Sequence, residues 1–275
     1  LAGWLVKRLL EEGAYVVALI YQKNPVSVFE TEGLRTLCEV IYSDILDFQS
    51  MRRILQNHRI KTIFHLGAQA ICKVALADPI ATLDANIRGT ANILEAVRVT
   101  DPTIEVIVAS SDKAYGIHQK MPYREDFSLH GEFPYEVSKS CADLISQMYF
   151  RTYGIPLCIV RSGNLYGGGD SHFSRIFPNT IHRLMKGLRP FINNDSVRDY
   201  LYVEDAAQGY MLLAEHMRQK SAGEAFNIGC EEPISTSKVV ALIAAAMGTS
   251  HVKPLYAKRQ ADEIPNQYLS CKKIR

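Results

Sequence analysis

Tyr135 precedes Lys139 by four residues in the run Pro134-Tyr-Glu-Val-Ser-Lys139. On a helix that spacing puts the phenol and the ammonium on one face, a turn apart. A tyrosine so placed is suited to moving a proton, with the neighbouring cation stabilising its phenolate. Without such help, ionising a tyrosine at pH 7 costs about 4 kcal/mol, three pKa units at about 1.4 kcal/mol each. The pair alone is a common surface-helix pattern. Ser111-Asp112-Lys113 adds weight to it, because a hydroxyl, a carboxylate and an ammonium follow the apolar run Glu105-Val-Ile-Val-Ala-Ser110 in direct succession. Together these residues make a Ser-Tyr-Lys set. The serine would hydrogen-bond a reacting oxygen, the tyrosine would move its proton and the lysine would hold charge.

The surrounding pattern supplies elements to position that set. Residues 1–12 read as an amphipathic helix, with Leu5, Leu9 and Leu10 on one face and Lys7, Arg8, Glu11 and Glu12 on the other; Gly13 ends it. Short apolar runs at 15–20, 38–42, 62–66, 105–110 and 156–161 read as buried strands, and 47–58, 78–99 and 135–152 as helices between them. Strands alternating with helices predict an α/β fold, a Rossmann-like doubly wound parallel sheet. Ligands of such folds collect at the carboxyl ends of the strands. The polar residues there are Asp44, Gly67-Ala68-Gln69, Ser111-Asp112-Lys113 and Asn164. Beyond residue 163 the alternation loses its regularity. Helices are expected at 174–187, 204–217 and 235–247, and strands at 199–203 and 225–229. This predicts a dinucleotide-binding domain over 1–162, with 196–220 returning to it. A smaller mixed α/β substrate-binding lobe covers 163–195 and 221–275.

Composition narrows the partners. The 275 residues are 47% hydrophobic and 22% charged with a net charge of +2, which gives no basis for a nucleic-acid or membrane partner. The six cysteines, at 38, 72, 141, 158, 230 and 271, lack any C-x-x-C spacing, and the eight histidines lack H-x-x-x-H. Reduced thiols, a cytoplasmic setting and no metal site are the expectation. His65, inside an apolar strand, reads as a satisfied core histidine. Leu1 already lies within a helical pattern, so the sequence reads as truncated at its start.

Several strings taken jointly carry a resemblance. They are Phe64-His-Leu-Gly-Ala-Gln69, Asn86-Ile-Arg-Gly-Thr90, Ser110-Ser-Asp-Lys-Ala-Tyr-Gly116, Tyr135-x-x-x-Lys139, Arg161-Ser-Gly-Asn-Leu-Tyr-Gly167 and Arg198-Asp-Tyr-Leu-Tyr-Val-Glu-Asp205. With them the chain resembles the extended short-chain dehydrogenase/reductase family of nucleotide-sugar epimerases and dehydratases along essentially its whole length. The resemblance implies NAD as cofactor. Ala2 would match the third position of the family's glycine motif, whose first two glycines would precede Leu1. Asp44 and Ile45 would contact the adenine, and Leu66, Ala68 and Gln69 would line the cleft beside Tyr135 and Lys139. No acidic residue matches at Tyr21-Gln22, so the motif alone leaves NAD and NADP open; a reaction that regenerates its cofactor favours NAD. Asn164, Arg175 and Arg198 match positions facing a nucleotide-sugar pyrophosphate. Asp262-Glu263-Ile264 onward resembles the segment ahead of the family's last helices.

Within the family, an acid/base pair directly after the serine marks the 4,6-dehydratases. The Ser-Asp-Lys form, with Gly163-Asn-Leu-Tyr-Gly-Gly-Gly-Asp170, resembles those acting on CDP-glucose. The implied roles are Tyr135 at the sugar 4-hydroxyl, Asp112 as acid for the 6-hydroxyl, and Lys113 at C5, either as base or as electrostatic support for the enolate. A 4-epimerase, or a dehydratase of GDP-mannose or dTDP-glucose, is the alternative enzyme. A non-catalytic dinucleotide-binding protein is the alternative outside enzymology. A homodimer or dimer of dimers is expected, through the 78–99 and 135–152 helices.

Overall fold

The computed structural model describes residues 1–257 and 264–275. Asp262 and Glu263 lie outside the described residues. Glu105–Ser111 is the central strand of a four-stranded sheet. Leu157–Ser162 lies on one side of it, with Ala225–Ile228 beyond, and Thr62–His65 lies on the other. Every ladder in this sheet is parallel. Val17–Ile20 and Glu39–Tyr42 form a separate parallel pair.

Strand alternation explains why both faces of the sheet are covered. Ile107, Cys158, Val160, Phe226 and Ile228 point to one face. There they pack on Leu5 of the Ala2–Glu11 helix and on Ala206, Tyr210 and Met211 of the Val203–Glu215 helix. Val106, Val108, Leu157 and Ile159 point to the other, against Leu94 and Val97 of the Gly89–Thr100 helix and Tyr149 of the Pro134–Tyr153 helix. Helices on both faces of a parallel sheet make the doubly wound fold.

The long helix expected over 78–99 is interrupted. It runs as Pro79–Leu83, a π-helical turn at Asp84–Arg88, then Gly89–Thr100. Asp78 caps its start by accepting from Ala81 N at 3.0 Å. The helix passes the strand ends closely: a Cβ on Gly89 would lie 2.4 Å from the Ile45 side chain. A further short helix, Cys72–Ala77, precedes it.

In the smaller lobe, the helices Ile176–Met185 and Thr236–Ala246 pack around Leu184, Val239, Ile243 and Ala244. Val197–Arg198 is the middle strand of a three-stranded sheet, between Ile234–Ser235 and Asn266–Gln267. Two segments cross the expected boundaries. Ala225–Ile228, placed by sequence in the lobe, extends the main sheet because Phe226 and Ile228 join its core. Val197–Arg198, placed by sequence with the main domain, pairs within the lobe. No helix among the described residues is long and apolar enough to cross a membrane.

Candidate active site

The Pro134–Tyr153 helix begins where proline can occupy the first turn, and Glu136 Oε2 accepts from Glu132 N at 3.1 Å and Phe133 N at 3.5 Å. It ends at Gly154, whose φ of 68° is easily adopted by glycine. Tyr135, Lys139 and Asp143 therefore fall on successive turns of one face. Lys139 and Asp143 are buried. The Lys139 ammonium donates to the Ala109 carbonyl at 2.8 Å. Burial lowers its pKa to about 8, with the Asp143 carboxylate opposing that fall.

The half-buried Tyr135 departs from expectation. Removal from water pushes its phenol well above the ordinary value; the Cys72 thiol adds to the rise, while a hydrogen bond with Ser111 and the charge of Arg175 work against it. The Lys139 ammonium, one turn on, donates to the strand carbonyl. Desolvation outweighs the helix-face pairing read from the sequence.

Ser111 ends the central strand, level with Ser162 of its neighbour, and a 3-10 turn follows over Asp112–Tyr115. The Ser111 hydroxyl donates to Asp112 Oδ1 at 3.0 Å, and its oxygen accepts from Lys113 N at 3.2 Å. Asp112 is 3% exposed, and its Oδ2 has no hydrogen-bond partner among the described residues. Burial raises the carboxyl pKa, opposed first by the charge of Lys113. A carboxyl held toward its neutral form is equipped to give up a proton. The Lys113 ammonium donates to Gln267 Oε1 at 3.3 Å. Serine, aspartate, both lysines and tyrosine are thus brought together at the strand ends.

The cofactor-side residues line the adjoining strand ends. Asp44 Oδ1 accepts from Leu46 N at 2.9 Å. Ile45 lies against Gly67, which is exposed between Leu66 and Ala68 and leaves that strand end open. The Gln69 side chain is occupied locally, donating to Ile71 O and Thr82 Oγ1 at 3.1 Å each. Ala2 is the first residue of the opening helix. An open strand end beside a buried ammonium fits a dinucleotide.

On the lobe side, Arg175 pairs with Asp170 at 3.3 Å and is close enough to influence Tyr135. Asn164 Nδ2 donates to Asp199 O at 3.4 Å. Arg198 is buried, and its guanidinium donates to Val197 O, Pro265 O and Ile264 O at 2.9, 3.2 and 2.5 Å. This geometry fastens the carboxyl-terminal segment. The sequence reading had the guanidinium facing a pyrophosphate.

Some contributors went unassigned in the sequence. Asn86, in the π-helical turn, accepts from Gln69 N at 2.8 Å and donates to Gln69 O at 2.9 Å and Ser138 Oγ at 2.8 Å, tying a strand end to the tyrosine helix. The string Asn86-x-x-Gly-Thr90 was its only signal. Cys72, exposed on the Cys72–Ala77 helix, lies within electrostatic reach of Lys113, Glu136 and Asp112, and partial desolvation raises its thiol pKa. Gln267 sits in a segment with no periodic pattern. His65 is the satisfied core histidine expected, 2.9 Å from Thr90 Oγ1.

The sequence profile of the GDP-mannose 4,6 dehydratase family matches residues 3–270. The chain is 30% identical over 261 residues to a CDP-glucose 4,6-dehydratase of Salmonella typhimurium, covering 90% of this chain and 72% of that one. It is 28% identical over 209 residues to a UDP-glucuronate 4-epimerase of Thermodesulfobacterium geofontis, covering 74% of this chain and 62% of the relative. The structure of UDP-glucose 4-epimerase from Thermotoga maritima superposes with a TM-score of 0.90 at 25% identity, over 98% of this chain and 86% of that one. A dTDP-glucose 4,6-dehydratase of Streptomyces venezuelae, solved with NAD bound, shares the fold at a TM-score of 0.85 and 22% identity, over 98% of this chain and 85% of that one. With its doubly wound sheet, the Ser111–Tyr135–Lys139 grouping and a match across nearly its full length, the chain belongs to the extended short-chain dehydrogenase/reductase family of nucleotide-sugar epimerases and dehydratases.

Proposed function

We propose that the protein is an NAD-dependent sugar-nucleotide 4,6-dehydratase converting CDP-glucose to CDP-4-keto-6-deoxyglucose. The observation that carries this reading is Asp112, a buried carboxyl with one oxygen unpartnered among the described residues, immediately followed by Lys113. Inverting C4 has no use for an acid at that point, whereas losing a hydroxyl does. The similarity to the Salmonella enzyme supports the choice of CDP-glucose.

Ala2, Asp44, Ile45, Leu66, Ala68 and Gln69, with Tyr135 and Lys139, would hold the dinucleotide. When bound, NAD accepts hydride from sugar C4 and returns it to C6. Tyr135, ionised to its phenolate, takes the proton of the 4-hydroxyl, whose oxygen Ser111 hydrogen-bonds. The resulting 4-keto group acidifies C5. In its uncharged amine form Lys113 takes the C5 proton and becomes the ammonium, Asp112 protonates the departing 6-hydroxyl, and water leaves as the C5–C6 double bond forms. A proton then returns to C5 as C6 becomes a methyl group. Asn164, Arg175 and Arg198 are assigned to the substrate side, Arg198 through the strand it fastens. A homodimer or dimer of dimers accompanies this reading, since Ile80, Leu144 and Met148 leave apolar side chains exposed on the helices covering one sheet face.

The second reading is a 4-epimerase, favoured by the superposition on the Thermotoga enzyme. Incubation with CDP-glucose and NAD, followed by proton NMR, separates the two. Dehydration replaces the C6 hydroxymethyl signals with a methyl doublet. Inversion at C4 with the hydroxymethyl group intact would sink the dehydratase proposal, and an unchanged substrate would favour a non-catalytic binding protein.

A further inference from the structure

Gln267 lies 154 residues from Lys113 in sequence, yet its side chain spans the catalytic turn. Its Nε2 donates to the Asp112 carbonyl oxygen at 2.9 Å, and its Oε1 accepts from the Lys113 ammonium at 3.3 Å. The residue is fully buried. Its partners fix the amide orientation, because a carbonyl only accepts and an ammonium only donates. A carboxamide is a side chain able to meet both demands at once. A carboxylate would face the Asp112 carbonyl with a second acceptor, and an apolar residue would meet neither.

The backbone around Gln267 is held from several directions. Asn266–Gln267 pairs in parallel with Val197–Arg198. The Arg198 guanidinium fastens Ile264 and Pro265 just ahead of it. On the other side, Tyr123 N donates to Tyr268 O at 2.9 Å and Ser270 N to Tyr123 O at 2.9 Å. Asn227 Nδ2 donates to Ser270 O at 3.1 Å. The amide is therefore carried on a strand that cannot drift relative to the turn it contacts.

Resting on the dehydratase reading above, we propose that Gln267 is a positioning residue for the water-loss stage. It holds the Asp112 backbone and the Lys113 ammonium in register for C6 and C5, without adding charge to either. Tyr135 and Lys139 take their positions from a different helix, so oxidation at C4 does not depend on it. The two stages of one reaction thus answer to different parts of the chain, and the carboxyl-terminal strand controls only the second.

The test compares the wild type with Gln267→Met, close in shape but unable to make either hydrogen bond, using CDP-glucose and NAD in deuterated water. Three quantities are read: NADH formation in the first turnover, deuterium entering at C5, and KM. The variant should form NADH at the wild-type rate, within about threefold, and keep KM. Its kcat and C5 exchange should both drop at least tenfold. Equal loss of both stages, a raised KM with kcat intact, or no change would each overturn the role. If Gln267→Met fails to fold, Gln267→Glu is read by the same criteria, since it keeps an acceptor for Lys113 but turns the donor toward Asp112 O into a second acceptor. A wild type that inverts C4 without dehydration overturns the dehydratase reading and this inference together. A wild type that dehydrates beside an unaffected variant overturns the inference alone.

Discussion

Lys139 lies one helical turn beyond Tyr135, but its ammonium is bound to the carbonyl of Ala109, 2.8 Å away on the central strand. That contact anchors the catalytic helix to the sheet. Burial raises the pKa of the neighbouring Tyr135 phenol. The lysine can serve both the carbonyl and a cofactor, since an ammonium has three protons to donate.

The charge on Lys139 sets an alkaline limit on activity. Burial brings its pKa down to about 8, so the ammonium persists below that pH and is lost above it. The kcat/KM profile should fall as pH rises through about 8, and Lys139→Met should flatten that limb while lowering the rate about 100-fold. An unchanged limb in the variant would assign the titration to another group. Stability runs the opposite way. The unfolded chain keeps this proton up to the ordinary lysine value of 10.5, so between about 8 and 10.5 this residue makes rising pH favour the folded state.

Tyr135→Phe removes the hydroxyl that takes the substrate proton. C4 oxidation should fall by about 10²- to 10⁴-fold, measured as NADH formed in the first turnover, with little change in thermal stability. Loss confined to the water-loss stage would place the tyrosine elsewhere in the reaction.

Asp112 trades stability for chemistry. Its folded-state pKa is raised by burial above the ordinary 3.8, so the folded chain holds this proton more tightly than the unfolded one. The stabilisation is present in acid and is lost as pH climbs from about 3.8 through the raised value. Asp112→Asn removes that loss. The variant should therefore show a higher urea midpoint than wild type at pH 7, converging with it in acid. It should retain C4 oxidation and lose at least about 100-fold in dehydration. A variant less stable at neutral pH would contradict the burial argument.

These residues also show where the sequence was legible. Continuous apolar runs in Glu105–Ser111 and Leu157–Ser162 identified the central strands, because both of their faces are buried. Ser111, Tyr135 and Lys139 were readable because a strand end and a helix face are local features. Gln267 was not, since a bond between residues 112 and 267 leaves no periodic trace. Helix spacing puts Tyr135 and Lys139 on one face but does not say which acceptor the ammonium finds, here the Ala109 carbonyl. Ala225–Ile228 was misassigned because a short apolar run suits either sheet, and only the bare edge of Leu157–Ser162 decides between them.

His65 should give the protein a weakness in acid. Burial, reinforced by the charge of Lys139, drops its pKa from 6.5 to about 3. Below pH 6.5 the unfolded chain takes up a proton that the folded chain refuses, so stability declines as pH falls from about 6.5 toward 3. Urea midpoints measured across that range should fall less steeply in His65→Gln than in wild type. Parallel slopes would show that other groups govern acid unfolding.

Asp143 links the catalytic face to the core. Its carboxylate accepts from Arg161 Nε at 2.8 Å and Nη2 at 3.0 Å, and both residues are buried. The same guanidinium reaches the Tyr115 hydroxyl at 2.9 Å, which in turn donates to Asn227 at 2.7 Å. Asp143→Ala strands a buried cation and should cost about 3–5 kcal/mol. Glu11→Ala, which breaks the exposed 3.1 Å pair with Arg8, should cost under about 1 kcal/mol by the same urea measurement. The first change has a second consequence, because Asp143 also supports the charge on Lys139. Its loss should move the alkaline limb of kcat/KM to lower pH. A destabilised variant with the limb unmoved would confine Asp143 to the core, whereas a shifted limb makes the ion pair part of the site.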